Sequence, residues 1–228
     1  MPLFFDPTFI LLIPAVIMAI WAQSKVRKAF KKYSQVRAAS GMTGAQAARY
    51  LLDRAGLQEV AIEPVAGKLS DHYDPRKKVL RLSEGVHGSP SLAALGIAAH
   101  EAGHALQDKD NYWPMSVRHA LVPVANLGAW SLWPAIIGGF LFGYRPLIDI
   151  GIVLYSFAVL FHLVTLPVEF NASSRALALL EGSGALHPQE IGGARKVLSA
   201  AAMTYVAATL ASVLTLVRLL VLRGMTDD

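Results

Sequence analysis

The sequence predicts a mainly α-helical integral membrane protein with about four transmembrane helices and a small α+β part on the cytoplasmic side. Three observations carry this prediction. The chain of 228 residues is 54% hydrophobic and only 16% charged, too apolar for an ordinary soluble domain. Four stretches, Phe4–Ala22, Ala120–Phe142, Leu147–Leu166 and Ala200–Leu222, each come near the roughly 20 apolar residues that a bilayer requires. Between the first and second of these lies the largest concentration of Lys and Arg, beside strand-like and helix-like patterns that belong in water.

The first stretch is apolar apart from Asp6, and it reads as a retained span rather than a cleaved leader. It has no basic segment before it and no clear small-residue cleavage site. Its positive charges follow it: Lys25, Arg27, Lys28, Lys31, Lys32 and Arg37 come directly after Trp21. The positive-inside rule then puts the N-terminus outside and this basic juxtamembrane helix in the cytoplasm, against anionic lipid. The net charge of +5 comes without any nucleic-acid-binding motif, so lipid is the expected partner and nucleic acid is not.

Thr43-Gly-Ala-Gln46 has the form of a capping box, opening a helix to about Ala55 that Gly56 ends. Val60–Val65 and Lys68–Tyr73 are strand-like, Asp74-Pro75-Arg76-Lys77 reads as a turn, and Lys78–Ser83 as a strand with one wet face. A hairpin is therefore expected just before the segment that carries the chemistry.

That segment is Ser91–Gln107, with Ser89 as the expected N-cap and Pro90 as the first helical residue. It contains His100-Glu101-Ala102-Gly103-His104, the pattern H-E-x-x-H. Positions i and i+4 of a helix lie on one face, so both imidazoles can bind one zinc ion, and the adjacent Glu101 can act as general base toward a water at the metal. A core helix with two hydrogen-bonded histidines is the plainer alternative.

Ala120–Phe142 carries no charge, Leu147–Leu166 has Asp149 and His162 near its two ends, and Ala200–Leu222 carries Arg218, expected to snorkel to the outer surface. The second and third spans form a hairpin around Gly143-Tyr-Arg-Pro146. Parity then brings the His-bearing segment and the segment after Leu166 to the same side, which a shared metal requires. A catalytic zinc usually has three protein ligands and one open position. Glu169 is the favoured third ligand. Pro167 is expected to stop the span and open a new helix, leaving Glu169 in a first turn at the membrane boundary, between Val168 and Phe170, where a carboxylate needs a cation. A glutamate answering the helix dipole is the alternative use, and Glu181, Glu190 and His187 are the rival ligands.

These residues also carry a resemblance. Ser70–Pro75, Val79–Ser83, His100–Gln107, Ala120–Asn126 and Leu166–Arg175 are similar to the YugP-type family of bacterial membrane zinc metallopeptidases, over nearly the whole chain. The resemblance implies a neutral zinc peptidase with His100, His104 and a downstream glutamate on the metal, the matching position being Glu169. One departure stands at Asn171, where that family often has Asp; Asn still accepts a hydrogen bond but carries no charge.

The resulting expectation is a zinc metalloendopeptidase of the bacterial inner membrane, with a zincin-like domain facing the cytoplasm and protein or peptide substrates. The expected layout is spans at 1–22, 120–166 (a hairpin) and 200–228, and cytoplasmic segments at 23–119 and 167–199. His72 and Tyr73 could donate to an oxyanion, though turn and surface roles are commoner. Arg175 could pair with a carboxylate of the site or a substrate terminus, and His162 could line its entrance. The alternative function is a non-proteolytic membrane scaffold or chaperone-like module with a structural zinc, which needs ligands but no general base. A zinc transporter would want its ligands within the spans. The chain has no Cys, which excludes disulfides, thiolate ligands and a cysteine nucleophile, and it has no P-loop, dinucleotide fingerprint or G-x-S-x-G elbow.

Overall fold

The computed structural model describes residues 7–224. A 3-10 turn, Pro7–Leu12, leads into α1 (Ile13–Tyr33), followed by α2 (Gly44–Arg54), β1 (Ala61–Val65), β2 (His72–Asp74), β3 (Val79–Ser83), α3 (Glu84–His87), α4 (Leu92–Lys109), α5 (Trp113–Leu141), α6 (Arg145–Ser183) and α7 (Pro188–Gly224). The helix bearing the first 3-10 turn and α1, together with α5, α6 and α7, are the four helices long and apolar enough to cross a membrane. In the most apolar 18-residue window of each, only 11% of the first and 28% of the others is buried by protein, so the apolar faces need another cover. The start of the first expected span, Phe4 to Asp6, lies outside the described residues.

The chain forms two compact units. One gathers residues 7–22, 113–167 and 204–224. Its helices approach through small residues, as helices in lipid must when no water drives them together. A Cβ on Gly128 would collide with the carbonyl of Leu154, and one on Gly151 would lie 2.8 Å from the Cβ of Ala135. Leu132, Ile136, Ile148, Ile152 and Leu219 form the buried cluster there. Gly143, at φ +61°, makes the turn between α5 and α6. Arg218 does not snorkel. It is 3% exposed, donates to Thr8 Oγ1 at 3.0 Å and lies 4.0 Å from the Phe9 ring centroid, so polar and aromatic groups inside this unit receive the cation. Asp149 pairs with Arg223 at 2.8 Å.

The other unit gathers residues 23–112 and 168–203. α1 continues without a break into the basic stretch, where Lys25, Arg27, Lys28, Lys31 and Lys32 are exposed. The capping box at α2 is formed, with Thr43 Oγ1 accepting from Gln46 N at 3.3 Å and Gln46 Oε1 from Thr43 N at 2.9 Å. The sheet has the order β1-β3-β2, with β1 parallel and β2 antiparallel to β3. Pro64 is tolerated because β1 is an edge strand. The expected hairpin is present but shifted. Asp74 ends β2, and its carboxylate accepts from the amides of Arg76 and Lys77, while Lys78 turns the chain at φ +52° instead of starting β3.

α4 runs through the middle of this unit, with 13 of its 18 residues buried. Its N-cap is Ser91, which accepts from Ala94 N at 3.2 Å, and not Ser89. The reason is that Pro90 and its neighbours are drawn into extended pairing: Ala38 N donates to Pro90 O, Leu92 N to Val36 O, and Arg37 bridges Ser91. The second correction concerns Pro167. It neither stops a helix nor opens one, and α6 runs through it from Arg145 to Ser183. A proline removes one N–H, and a long helix held on both sides accommodates that loss. The prolyl start falls instead at Pro188, the first residue of α7.

Candidate metal centre

The site begins with a close helix crossing. A Cβ on Gly103 would sit 2.5 Å from the carbonyl oxygen of Ala172, so α4 and α6 meet nearly backbone to backbone. Only glycine allows this approach within H-E-A-G-H, and Ala99 and Ala176 keep the neighbouring turns thin and buried. The crossing sets Glu169 of α6 over the histidine face of α4.

His100 and His104 stand one turn apart, their ring centroids 4.8 Å from each other and their planes nearly perpendicular. Glu169 Oε2 lies 3.3 Å from His100 Nε2 and 3.7 Å from His104 Nε2. One ligand atom from each of the three residues falls within 4.8 Å of the others. The Glu169 side chain is 2% exposed. Two imidazole nitrogens and a carboxylate oxygen, converging and nearly dry, are the donor set of a three-ligand zinc site. The residues therefore fit the metal that the sequence implies. Burial by itself pushes the His104 imidazole down, but hydrogen bonding and charge from Glu169, with the charge of Glu101 and the Gln107 hydrogen bond, outweigh it and hold the group above its ordinary value. Glu101 is 7% exposed and stands outside the converging three.

The outer nitrogens of both rings are also occupied. His104 Nδ1 meets Gln107 Oε1 at 2.9 Å, and His100 Nδ1 meets Ser173 Oγ at 3.2 Å. Both partners hold a ring in orientation from behind. Gln107 is fully buried and spends its amide N–H groups on Val168 O and Asn171 Oδ1.

A family model described as "Putative neutral zinc metallopeptidase" matches residues 8–224. The chain belongs to this family. A curated relative from Bacillus subtilis (strain 168), described as "Putative membrane protease YugP", is 50% identical over 208 residues, which is 91% of this chain and 92% of the relative. No solved structure matches the chain. Membership in a zinc metallopeptidase family and the His100, His104, Glu169 grouping point to the same cofactor, zinc.

The two rival carboxylates are engaged elsewhere, and His187 is exposed and outside the converging three. Glu181 pairs with Arg195 at 3.5 Å, and the two oxygens of Glu190 accept from Ala39 N and His187 N. The helix-dipole use of Glu169 falls too, because Glu169 lies inside a continuous helix with no free first-turn amides. Tyr73 donates its hydroxyl to Asp108 at 2.7 Å, and burial together with that hydrogen bond pushes the phenol up, so it keeps its proton. His72 is held by Ser70 O at 2.8 Å and Arg81 at 3.4 Å. Neither residue of the pair has a free donor for an oxyanion. Arg175 is tied to Asp110 and to Asn171 Oδ1. His162 lies in the other unit, its ring edge-on to Phe161 at 5.6 Å. Sequence reasoning missed Gln107, Ser173 and Gly103. The first two stand at helical spacing from His104 and Glu169, where partners for ring N–H groups are expected.

Two expectations follow from this geometry. Glu169→Ala should weaken zinc binding by well over tenfold, since a first ligand is lost rather than an outer partner, while Glu181→Ala and Glu190→Ala leave it unchanged. Competition with a chromophoric chelator on the purified full-length protein measures this, and equal affinity in Glu169→Ala would refute the assignment. The second concerns pH. A histidine whose folded value is raised adds stability that is complete below its ordinary 6.5 and is lost as pH rises through the folded value. Zinc needs the neutral ring, so metal binding should tighten over the same range while the zinc-stripped protein melts at lower temperature. Melting curves of stripped and loaded protein from about pH 6 to about pH 8.5 test this, and parallel curves would contradict it.

Proposed function

We propose that this protein is a membrane-embedded zinc metalloendopeptidase with its site on the cytoplasmic side, acting on protein or peptide substrates. The observation that carries this reading is the convergence of His100, His104 and Glu169, with the buried Glu101 next to His100 in the chain and outside the converging set. The Bacillus subtilis relative, described as a membrane protease, supports carrying peptidase chemistry to this chain. Zinc, when bound, supplies a Lewis acid that makes a water acidic near neutral pH and polarises a carbonyl. His100, His104 and Glu169 hold the ion, and Gln107 and Ser173 keep the two rings aimed. Glu101 accepts a proton from the attacking water as its oxygen bonds to the peptide carbonyl carbon. The same carboxyl returns that proton to the amide nitrogen as the C–N bond breaks, so atoms and charge balance.

The cytoplasmic orientation rests on the cations after Trp21 and on parity. Segments 23–112 and 168–203 belong to one compact unit, which requires them to share a side. An outside N-terminus, spans within 1–22, 120–166 and 200–228, and zincin-like cytoplasmic segments at 23–119 and 167–199 satisfy that requirement. The membrane is then the bacterial inner membrane, with lipid as the standing partner.

Glu101→Gln should retain zinc and lose peptide hydrolysis by on the order of a hundredfold or more. Zinc content and cleavage of casein, measured on the same preparation, decide the matter. Wild-type cleavage by the Gln variant would remove the proposed mechanism and favour a scaffold with a structural zinc. For orientation, a reporter near Gly85 should read cytoplasmic and one at Tyr144 external. The reverse pattern would invert the site to the outer face.

A further inference from the structure

Among the described residues Gln107 is the largest polar side chain buried to 0% exposure, and neither the metal nor the proton transfer uses it directly. Its hydrogen bonds have a direction that can be deduced without knowing where any hydrogen sits. The backbone carbonyl of Val168 can only accept, so the Gln107 atom 2.8 Å from it must be the amide nitrogen. The guanidinium of Arg175 can only donate, so the Asn171 atom 2.8 Å from Arg175 Nε must be the amide oxygen. That same Asn171 oxygen lies 2.9 Å from the Gln107 nitrogen, which is consistent from both ends. Gln107 therefore presents its amide oxygen to His104, and the ring nitrogen 2.9 Å from it, Nδ1, must carry the hydrogen. A neutral imidazole has one donor nitrogen and one acceptor nitrogen. With Nδ1 fixed as donor, the lone pair lies on Nε2, the atom that faces Glu169.

We infer that Gln107 is a positioning residue for the metal: anchored by Val168 O and by an Asn171 oxygen that Arg175 locks in place, it fixes the His104 tautomer and leaves Nε2 free for the ion. The anchor reaches across the α4–α6 crossing, since Gln107 belongs to α4 and Val168, Asn171 and Arg175 to α6. Glu169 stands directly between two of these anchor points, Val168 and Asn171. The same turn of α6 thus supplies one ligand directly and orients a second. Arg175 is restrained in turn by Asp110, just past the end of α4. Position 171 needs one acceptor atom for two donors, and an amide oxygen supplies it without a charge.

This inference rests on the metal reading above, and the experiment separates the two. Zinc affinity of the full-length protein in detergent is measured by chelator competition, with the cobalt(II) absorption spectrum as a report of ligand geometry and thermal melting of the zinc-free form as a report of fold. Gln107→Met, similar in length and without hydrogen bonds, should weaken zinc roughly 10–100-fold and alter the cobalt spectrum. Asn171→Asp keeps the shared acceptor and should bind zinc as the wild type does, whereas Asn171→Leu removes it and should shift affinity in the direction of Gln107→Met. If wild type itself takes up no zinc, the metal reading fails. If wild type and Gln107→Met bind zinc equally and give the same cobalt spectrum, the metal reading stands and this inference is overturned. A loss of affinity that only follows a lower melting temperature, with the folded fraction's spectrum unchanged, would also overturn it by making Gln107 merely structural. Should Gln107→Met fail to fold, the Asn171 pair decides: equal affinity in Asn171→Asp and Asn171→Leu overturns the inference.

Discussion

The backbone contact between α4 and α6 at Gly103 and Ala172 is the constraint on which the site depends. A carboxylate has a short reach. Glu169 can sit 3.3 and 3.7 Å from two imidazoles on another helix only if the helix axes come unusually close. The missing Cβ at position 103 provides that closeness, and the run of alanines around it extends it over neighbouring turns. The same proximity removes water. An ionised carboxylate so enclosed loses solvation of the order of several kcal/mol, which the hydrogen-bonding rings, or a cation between them, must offset. Geometry and electrostatics thus share one cause, a small residue at the helix crossing.

The positions of the partners divide the work by distance from the reacting centre. The three converging side chains offer atoms of the type that bind zinc, and Glu101, next to His100 in sequence, does not join them. Behind them, Gln107 and Ser173 answer the outward ring nitrogens, each with a neutral group. A carboxylate in either place would add negative charge to rings that already feel Glu101 and Glu169. Neutral partners orient the rings without that repulsion. The polar groups of the hairpin are occupied separately: Asp108 receives both Tyr73 and Lys78, and Arg81 joins Glu63 to Asp74.

What the sequence made legible is what depends on spacing along one element. The i, i+4 histidines, the Thr43 capping box and the apolar runs are local patterns, and each appears where its periodicity puts it. What it concealed depends on pairing between distant segments. Ser89-Pro90 is a sound helix start taken alone, but the carbonyl of Pro90 is claimed by Ala38 and the cap moves to Ser91. Arg218 looked free to snorkel because the sequence does not show Thr8 and Phe9 facing it. Gln107 stands at helical spacing from His104, but the acceptors that anchor it lie some sixty residues away on α6, and the sequence does not show them. Glu169 was legible from its apolar neighbours, although the helix start imagined for it was wrong.

That error sharpens the argument for the metal. A glutamate in a first turn has free amides and a favourable dipole, so its burial would need no further explanation. In a continuous helix those amides are already bonded to the preceding turn, so Glu169 has no first-turn amides to answer its charge. Facing it are the two imidazoles of α4, whose outer nitrogens are already engaged by neutral partners. A neutral imidazole with its hydrogen held on Nδ1 turns a lone pair, not a donor, toward the carboxylate. That lone pair and the carboxylate repel each other, and a positive charge between them, whether a proton on His104 or a metal ion, relieves the repulsion. The tautomer that Gln107 enforces and the continuity of α6 through Pro167 therefore both favour a cation at the point where the three side chains meet.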